Sequence, residues 1–369
     1  MRKLCLIYNS APLYRKAIFQ AIDKEYDCDW YFGEPKSGIK QMDLSLLRHT
    51  KYYKSYGNPN KLFWQGALIS SLFSKKYQNY FILTQVRAIS LWVMILLSSI
   101  FFPKKRIYGW SHGWYGREGT LRKKFDKWRI SHMAGQFVYN EHSRQLMIEG
   151  GIPKNKLFVI YNSLDYDIQL RLRKKLKNTD IYIDYFGNTN PVIIFIGRLT
   201  YSKKLGLLVK ALKALKDKGL SYNVTFIGDG EARKYLENIV EVEGLKSQTW
   251  FYGACYDETQ NAELIYNASL CVSPGNVGLT AIHSLMFGTP VITCDDFCHQ
   301  GPEFEAIKEG ITGDFFKAND AFSLADKIDK WFAEHTNREQ IRKECYAEID
   351  TRWTPDNQME IVRQNLKVE

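Results

Sequence analysis

Two loops in the second half of the sequence place cations and glycines where a phosphate group could bind. In the segment 194–203 (IFIGRLTYSK), an apolar run ends at Gly197, and Arg198 and Lys203 follow within one loop. Because Gly197 permits close approach to the backbone, the two cations could hold a diphosphate that gains negative charge as it departs. Basic residues after a strand are also common surface chemistry, and this segment alone leaves both interpretations open.

The second loop lies in the segment 273–290 (SPGNVGLTAIHSLMFGTP), where a predicted strand leads into a predicted helix. The N–H groups at a helix start attract an anion, and glycines let a phosphate approach the backbone. His283 falls on this helix within reach of a ligand at the loop, although a single helical histidine is as often only structural. The loop brings Pro274, Gly275, Asn276 and Gly278 to the start of the helix, whose first turns are 280–283.

Both loops belong to a regular alternation of apolar runs and helical patterns, which predicts two parallel α/β domains of the doubly wound type. In open sheets of this kind, ligands bind beyond the carboxyl ends of strands, where both loops fall. A polar stretch at 171–190 predicts a linker, whereas 35–78 has weak periodicity and no assignment. Strands are predicted at 3–8, 28–32, 80–83, 106–110, 136–139, 157–161, 191–196, 223–227, 249–252, 269–273 and 290–293, and helices at 15–24, 205–216, 231–242, 280–287, 321–335 and 353–366.

The composition is that of a folded protein with an uneven charge. The 369 residues are 45% hydrophobic and 25% charged, which excludes a disordered or fibrous chain. Residues 1–200 contain 32 basic and 14 acidic residues, whereas residues 201–369 contain 19 and 26. The basic half suits an anionic partner such as a phospholipid surface, although a solvated basic face is the simpler interpretation. We expect no nucleic-acid partner, because no such motif is recognised and the phosphate loops lie in the acidic half.

The longest apolar run, 88–102 (AISLWVMILLSSIFF), is too short to span a bilayer. As a helix its 15 residues reach about 22 Å, against a hydrocarbon core of about 30 Å. The preferred interpretation is a core helix of the first domain. The alternative is a helix in the membrane interface, flanked by Lys104, Lys105 and Arg106.

The cysteines indicate a reducing compartment, since all seven are scattered without a CxxC pair. Cys294, Cys298 and His299 could be drawn as metal ligands, but no second ligand pair follows, and we predict no structural zinc. The N-terminal residues read as a first strand and lack the features of a signal peptide. We therefore expect a cytoplasmic protein.

The two loops and their neighbours, in this order, resemble the retaining GT-B glycosyltransferases of family 4 (glycosyl transferases group 1). The resemblance covers the second domain through the GRL and Lys loop, 224–231 (VTFIGDGE), 251–253 (FYG), 267–274 (NASLCVSP), 286–292 (MFGTPVI) and 309–316 (EGITGDFF). The first domain matches less sharply, through 111–113 (SHG), 139–165 and an N-terminal strand that runs into a loop.

The resemblance implies a GT-B fold, two Rossmann-like domains facing across a cleft. Residues 1–170 would bind the acceptor, 171–190 would link, 191–350 would bind a nucleotide-diphosphate sugar, and 351–369 would form a helix crossing back to the first domain. Arg198 and Lys203 would clamp the donor diphosphate, and His112 would contact the transferred sugar. The loop formed by Asn276, Val277, Gly278, Leu279 and Thr280 would hold the sugar and phosphates with backbone amides. Asn9, Ser10 and Arg15 would lie on the acceptor side. The resemblance further implies no cofactor and no metal, despite the neighbouring Asp295 and Asp296.

One departure from the family pattern falls in the second loop. The family has two glutamates eight positions apart that bind the sugar and the ribose, where this chain has Gly275 and His283. Asn276 and His283 could hydrogen-bond the sugar and the ribose, and Glu303 or Glu305 could supply a carboxylate.

The leading hypothesis is a retaining glycosyltransferase at the cytoplasmic face of the membrane. Its acceptor would be a glycan or a lipid-diphosphate-linked sugar, in the synthesis of a surface polysaccharide or glycolipid such as lipopolysaccharide or capsule. Its basic first domain would dock on anionic lipid. The alternatives are a non-catalytic GT-B subunit and a sugar-nucleotide epimerase or phosphorylase of the same fold.

Overall fold

The computed structural model describes residues 3–35, 39–58 and 60–368, which divide into two compact units. The first unit contains the described residues up to Asp165 and those from Thr354 onward, and the second contains Tyr166–Trp353. Each unit has a parallel sheet covered by helices on both faces. The predicted fold class, with two Rossmann-like α/β domains, is confirmed.

The first unit has a seven-stranded parallel sheet in the order β3-β2-β1-β6-β7-β8-β9. The central strands are apolar runs without alternation, as expected for strands buried on both faces. A short antiparallel ribbon, β4 with β5, lies outside the sheet. The strands are β1 (Lys3–Tyr8), β2 (Cys28–Phe32), β3 (Thr50–Tyr52), β4 (Ser55–Gly57), β5 (Phe63–Gln65), β6 (Tyr77–Leu83), β7 (Arg106–Ser111), β8 (Gly135–Val138) and β9 (Leu157–Val159).

Helices cover both faces of this sheet and close two large hydrophobic clusters. One cluster is rich in aromatic side chains, with Trp30, Phe32 and Trp110 fully buried. The unassigned segment 35–78 contains β3, β4, β5, the start of β6 and one helix; part of it, 36–38 and Pro59, lies outside the described residues. The helices are α1 (Lys16–Glu25), α2 (Gly66–Leu72), α3 (Ile89–Phe101), α4 (Thr120–Ser131) and α5 (Glu141–Glu149).

A charged pair lies in the interior of the first unit. Asp126 is 1% and Arg129 2% exposed, and the Arg129 Nη2 atom donates to Asp126 Oδ1 at 3.0 Å. Arg122 and the Trp114 indole donate to the other carboxylate oxygen. Burial alone would raise the pKa of Asp126, but the charges of Arg129 and Arg122 and these hydrogen bonds hold it below its ordinary value of 3.8.

The second unit has a six-stranded parallel sheet in the order β12-β11-β10-β13-β14-β15. Its strands are β10 (Val192–Ile196), β11 (Asn223–Ile227), β12 (Thr249–Gly253), β13 (Leu270–Ser273), β14 (Val291–Cys294) and β15 (Gly313–Phe316). Its helices are α6 (Tyr166–Arg173), α7 (Ile181–Phe186), α8 (Gly206–Asp217), α9 (Arg233–Val242), α10 (Glu258–Asn267), α11 (Leu279–Met286), α12 (Ala321–Glu334) and α13 (Arg338–Arg352).

The polar stretch 171–190, expected to be a linker, lies within the second unit and includes α7. The Tyr182 hydroxyl of α7 donates to the Leu264 carbonyl, and Tyr185 stacks on Trp250. These aromatic contacts hold the stretch on the unit although its sequence is polar.

The last helix, α14 (Pro355–Asn365), packs on the first unit. Met359, Val362 and Leu366 are buried in the same cluster as Trp30. The Gln358 side chain also bonds Ser163 and the Tyr161 carbonyl. The C-terminal segment therefore completes the core of the unit that the N-terminal residues begin.

The elements assigned from the sequence have the expected types, and their bounds differ mostly by one or two residues. The sequence analysis assigned no helix at α2, α4, α5, α6, α7, α10 or α13. The strand expected at 80–83 starts three residues earlier, at Tyr77. Within the described part of the chain, none of the helices combines the length and apolar character needed to traverse a bilayer.

Asp126→Asn is expected to destabilise the chain by roughly 3–5 kcal/mol, because it leaves the buried Arg129 without its counter-charge. Thermal denaturation measures the loss. The pKa of Asp126 is lowered in the folded state, so its contribution is present above pH 3.8 and fades as the pH falls below that value. The difference between wild type and variant should therefore shrink in acid. Asp217→Asn, which breaks an exposed pair with Lys213, is the control and should change little.

Candidate functional site

In the second unit the two phosphate-binding loops predicted from the sequence meet at the carboxyl end of β10. Gly197 follows β10 with a φ of +142°, a conformation that favours glycine. The Thr280 hydroxyl, in the first turn of α11, donates to the Ile196 carbonyl at 2.9 Å. The helix start is thus fixed against the strand end, and the predicted neighbours Gly197 and Thr280 are brought together.

Lys203 joins the two loops directly. Its ammonium group donates to the Asn276 carbonyl at 2.5 Å, and its own carbonyl accepts from the Gly275 N–H at 2.9 Å. Burial lowers the pKa of Lys203, and the negative charge of Glu303 opposes that shift. Arg198, on the same loop, is exposed. Of the predicted pair of cations, Lys203 therefore lies against the loop before α11.

Gln300, which the sequence did not single out, locks this loop. Its side chain is buried, its Oε1 atom accepts from the Val277 N–H at 2.7 Å, and its Nε2 atom donates to the carbonyls of Gly275 and Cys294. The Val277 amide, which the resemblance assigns to a ligand, is thus already bonded to Gln300, and contact of Val277 with a ligand stays a prediction. Asn276 likewise donates its side-chain amide to the His299 carbonyl at 2.6 Å. The sequence signal that could have pointed to Gln300 is its position directly before a Gly-Pro pair, in the segment 299–302 (HQGP).

Glu303 lies beside the start of α11. It is 3% exposed, and a Cβ added at Gly278 would lie 3.9 Å from its Oε2 atom. Gly278, at the turn into Leu279, has a φ of +103°, a backbone conformation that favours glycine. A carboxylate near a helix N-terminus is stabilised by the helix dipole. The carboxylate expected from the QGPEFEAI segment is therefore present at this loop.

His283 is committed to a partner that the sequence did not reveal. Its Nε2 atom lies 3.0 Å from Glu258 Oε1, at the start of α10. Gln169 donates to the same oxygen at 2.7 Å. Although burial raises the pKa of Glu258, His283, Gln169 and Asn261 together hold it below its ordinary value. His283 was expected to be available on its own; the structure presents it as one half of an imidazole–carboxylate pair.

The backbone leaves no room for a side chain at Gly275. A Cβ placed there would lie 2.2 Å from the Ser202 carbonyl oxygen and 3.0 Å from Lys203 Cα. The 224–231 turn packs just as closely on the loop after β10, since a Cβ at Gly228 would lie against the Gly197 carbonyl oxygen. Both glycines serve close backbone packing. Where the family pattern has its first glutamate, this chain has backbone contact instead.

In the first unit His112 follows β7 on a turn held from beneath. The Ser143 hydroxyl bonds the carbonyls of His112 and Trp114, at 2.8 and 2.6 Å. The His112 ring lies 4.9 Å from the Tyr139 ring, measured between centroids. Loss of surrounding water and the charge of Arg15 lower the pKa of His112 to about 4, although the residue keeps an exposed edge. The imidazole is therefore neutral near pH 7.

Arg15, predicted on the acceptor side, is buried in a polar network. Its guanidinium donates to Asn162 at 2.7 Å and to the Tyr139 hydroxyl at 2.6 Å. Ser10 is also buried, and Asn9 is half-buried. The structure thus gives Arg15 an internal role that holds Tyr139 next to His112.

A cavity of about 320 Å³ opens beside His112 within the first unit. Its lining is mostly polar and includes Thr84, Gln85, Arg87, Ser111 and His112. Such a lining suits a hydroxylated ligand more than an apolar one.

Cys294, Cys298 and His299, for which the sequence predicted no structural zinc, can be placed in the structure. All seven cysteines are free, and His299 Nδ1 lies 2.9 Å from Asp296. In residues 3–35, 39–58 and 60–368, no three His, Cys, Asp or Glu side chains gather as a metal-binding group. The expected independence from metal stays a prediction.

Residues 183–348 match the sequence model of the family described as glycosyl transferases group 1. They make up most of the second unit and include both loops that the sequence predicts to bind phosphate. The resemblance seen in the sequence is confirmed for this segment, which is similar to group 1 glycosyl transferases. Assignment to family 4 stays a prediction.

Curated relatives that are named as glycosyltransferases match this chain over part of their length. The chain is 26% identical over 212 residues to an uncharacterized glycosyltransferase of Methanocaldococcus jannaschii, covering 56% of this chain and 52% of that protein. It is 29% identical over 192 residues to an N-acetyl-D-galactosaminyltransferase of Campylobacter jejuni, covering 50% of each, whose name includes an undecaprenol-linked glycan. The match thus spans about half the length of these relatives.

The fold likeness extends over the whole chain. The crystal structure of Anabaena HepE in complex with UDP has a TM-score of 0.71 and 16% identity, covering 98% of this chain and 99% of that one. At this identity the likeness defines the fold, which is GT-B. The chain thus has the GT-B fold, and its second unit contains a segment similar to group 1 glycosyl transferases.

Gly275→Ala is expected to lower the melting temperature, because the new Cβ would overlap the Ser202 carbonyl oxygen. Overpacking against backbone costs roughly 1–3 kcal/mol. Gly119→Ala is the matched control, since nothing lies within 4 Å of a Cβ there. Equal melting temperatures for the two variants in thermal denaturation would contradict the close contact at Gly275.

Proposed function

We propose that this protein is a retaining glycosyltransferase that moves a sugar from a nucleotide-diphosphate donor to a glycan or lipid-linked acceptor. The observation that carries the proposal is the junction of two loops at the end of β10. There Lys203 bonds the loop before α11 and Thr280 bonds the end of β10, while Arg198 follows Gly197 on the same loop, inside the segment that matches the group 1 family. Cations and a helix start together suit a diphosphate.

The donor diphosphate would bind at Arg198 and Lys203. Lys203 is fixed by the Asn276 carbonyl, so its position needs little reorganisation on binding. Preorganised positive charge stabilises the negative charge that grows on the departing diphosphate. We propose that these cations fill the role that a metal ion has elsewhere, and that no cofactor is required.

The sugar and the ribose would lie on either side of this point. Glu303 and the Gly278 turn offer a carboxylate and close backbone approach for sugar hydroxyls. His283 lies one helical turn beyond Thr280, about 5 Å along the α11 axis. The Glu258–His283 pair could therefore bind ribose hydroxyls when the diphosphate is at the helix start. In this proposal Glu258 supplies, from α10, the carboxylate that α11 lacks.

We assign His112 to a hydrogen bond with a sugar at the reacting centre. A neutral imidazole can donate or accept a hydrogen bond without placing a positive charge near the sugar. With no protein nucleophile assigned, the acceptor would attack on the face from which the diphosphate leaves, so catalysis would rest on positioning and charge stabilisation. The polar cavity beside His112 is a candidate acceptor pocket.

The acceptor class follows from the relatives only as a proposal. The Campylobacter protein is named for an undecaprenol-linked glycan. We propose an acceptor of the same broad kind, in the synthesis of a surface polysaccharide or glycolipid at an anionic, cytoplasmic membrane face.

A non-catalytic subunit is the second candidate, favoured by the absence of both family glutamates at Gly275 and His283. Nucleotide binding without any sugar transfer would favour it. Product formation without an acceptor would instead favour an epimerase.

The first test is binding of UDP, GDP, dTDP and CMP and their sugars, by thermal shift with EDTA present. One nucleotide class should raise the melting temperature. Arg198→Ala and Lys203→Met should each weaken its binding by about 10- to 100-fold, since a hydrogen bond to a charged group contributes roughly 1.5–3 kcal/mol. Lys213→Met is the control, because Lys213 is a surface residue of α8 that pairs with Asp217. No shift with any nucleotide would contradict the proposal.

A second test separates the ribose from the diphosphate. Glu258→Gln should weaken binding of the nucleoside diphosphate, because the pair with His283 loses its charge, but should leave binding of inorganic diphosphate unchanged. Isothermal calorimetry with both ligands measures this, and Glu263→Gln on the same helix is the control. Equal losses for both ligands would place Glu258 outside the ribose site.

A further inference from the structure

Helix α3 is apolar on both of its faces. Leu91, Met94 and Ile95 point into the core and are fully buried. The outward positions are also apolar, with Leu96 49% and Ile100 60% exposed, and the helix contains no charged residue. A surface helix of a soluble domain usually carries charged or polar residues on its outer face. The outer stripe of α3, which includes Leu96 and Ile100, is therefore exposed apolar surface.

Helix α4 extends this apolar surface. Leu121 is 73% and Phe125 55% exposed, and Trp92 of α3 bridges the helices with its ring 5.5 Å from Phe125 and 5.8 Å from Trp128. A groove of about 640 Å³ runs between the helices, and Lys124 is the single charged residue in its lining. We call this surface, formed by Trp92, Leu96, Ile100, Leu121, Phe125 and Trp128, the α3–α4 face.

The charges around the α3–α4 face are positive. On α4 the side chains of Arg122, Lys124 and Lys127 are exposed, whereas Asp126, the one acid of that helix, is buried on Arg129. At the end of α3, Lys104 is also exposed. An apolar centre with aromatic residues and a basic rim is the composition of surfaces that lie in a membrane interface.

We propose that the α3–α4 face docks on an anionic phospholipid bilayer, with the apolar side chains in the interface and the lysines near the headgroup phosphates. The inference rests on the proposed function, since it gives the first unit access to a lipid-linked acceptor. A second copy of this chain fits the face less well. A two-fold contact through it would bring the same lysines against each other, and like charges repel.

The test is flotation of the full chain with vesicles of phosphatidylcholine, with and without phosphatidylglycerol. Wild type should bind the anionic vesicles, and added salt should weaken binding. The double variant Leu96→Ser with Phe125→Ser, and the double variant Lys124→Glu with Lys127→Glu, should each lower partitioning about tenfold or more. The matched controls, Phe322→Ser and Lys343→Glu in the second unit, should bind as wild type does.

Three results would overturn the docking surface: unchanged flotation of both double variants, equal binding to neutral vesicles, or a wild-type dimer that the serine variant abolishes. Thermal shift with the nucleotide that binds wild type is measured on every variant and should be unchanged, which shows that the variants fold. Wild type that floats with anionic vesicles but binds no nucleotide would retain this inference and contradict the proposed glycosyltransferase. Wild type that binds nucleotide but not vesicles would contradict the docking surface and retain the proposed glycosyltransferase.

Discussion

The candidate donor site depends on one close backbone contact, between the loop after β10 and the loop before α11. The Gly275 N–H donates to the Lys203 carbonyl, and the space a side chain would need at Gly275 is filled by Ser202. This contact fixes the lysine ammonium on the Asn276 carbonyl. A side chain at position 275 and this loop conformation therefore exclude each other.

Two carboxylates from other elements lie near α11. Glu303 comes from the turn after β14 and lies beside Gly278, while Glu258 comes from α10 and pairs with His283. Each carboxylate is held where a charge is tolerated, the first near a helix N-terminus and the second by an imidazole and an amide. Two carboxylates therefore lie near α11, one beside its start and one in contact with His283.

In the first unit, polar groups are held by buried networks while an apolar surface is left open. Ser143 fixes the turn that carries His112, and Arg15 fixes Tyr139 beneath it. The interior can hold such charged groups because their partners are equally buried. The α3–α4 face shows the opposite arrangement, with apolar side chains outside and the acid of α4 inside.

The sequence by itself determined the alternation of strands and helices, the two-domain organisation and the position of the loops predicted to bind phosphate. Hydrophobic periodicity, glycines and turn residues act over short distances along the chain, so a local pattern records them. It also located Glu303 as a possible carboxylate. Only the tertiary structure decided which groups meet: that Gln300 occupies the Val277 amide, that His283 is paired with Glu258, and that 171–190 packs as helix on its unit. Those partners lie 23 or more residues apart in the chain, and such contacts depend on how sheets and helices pack, which no local pattern records.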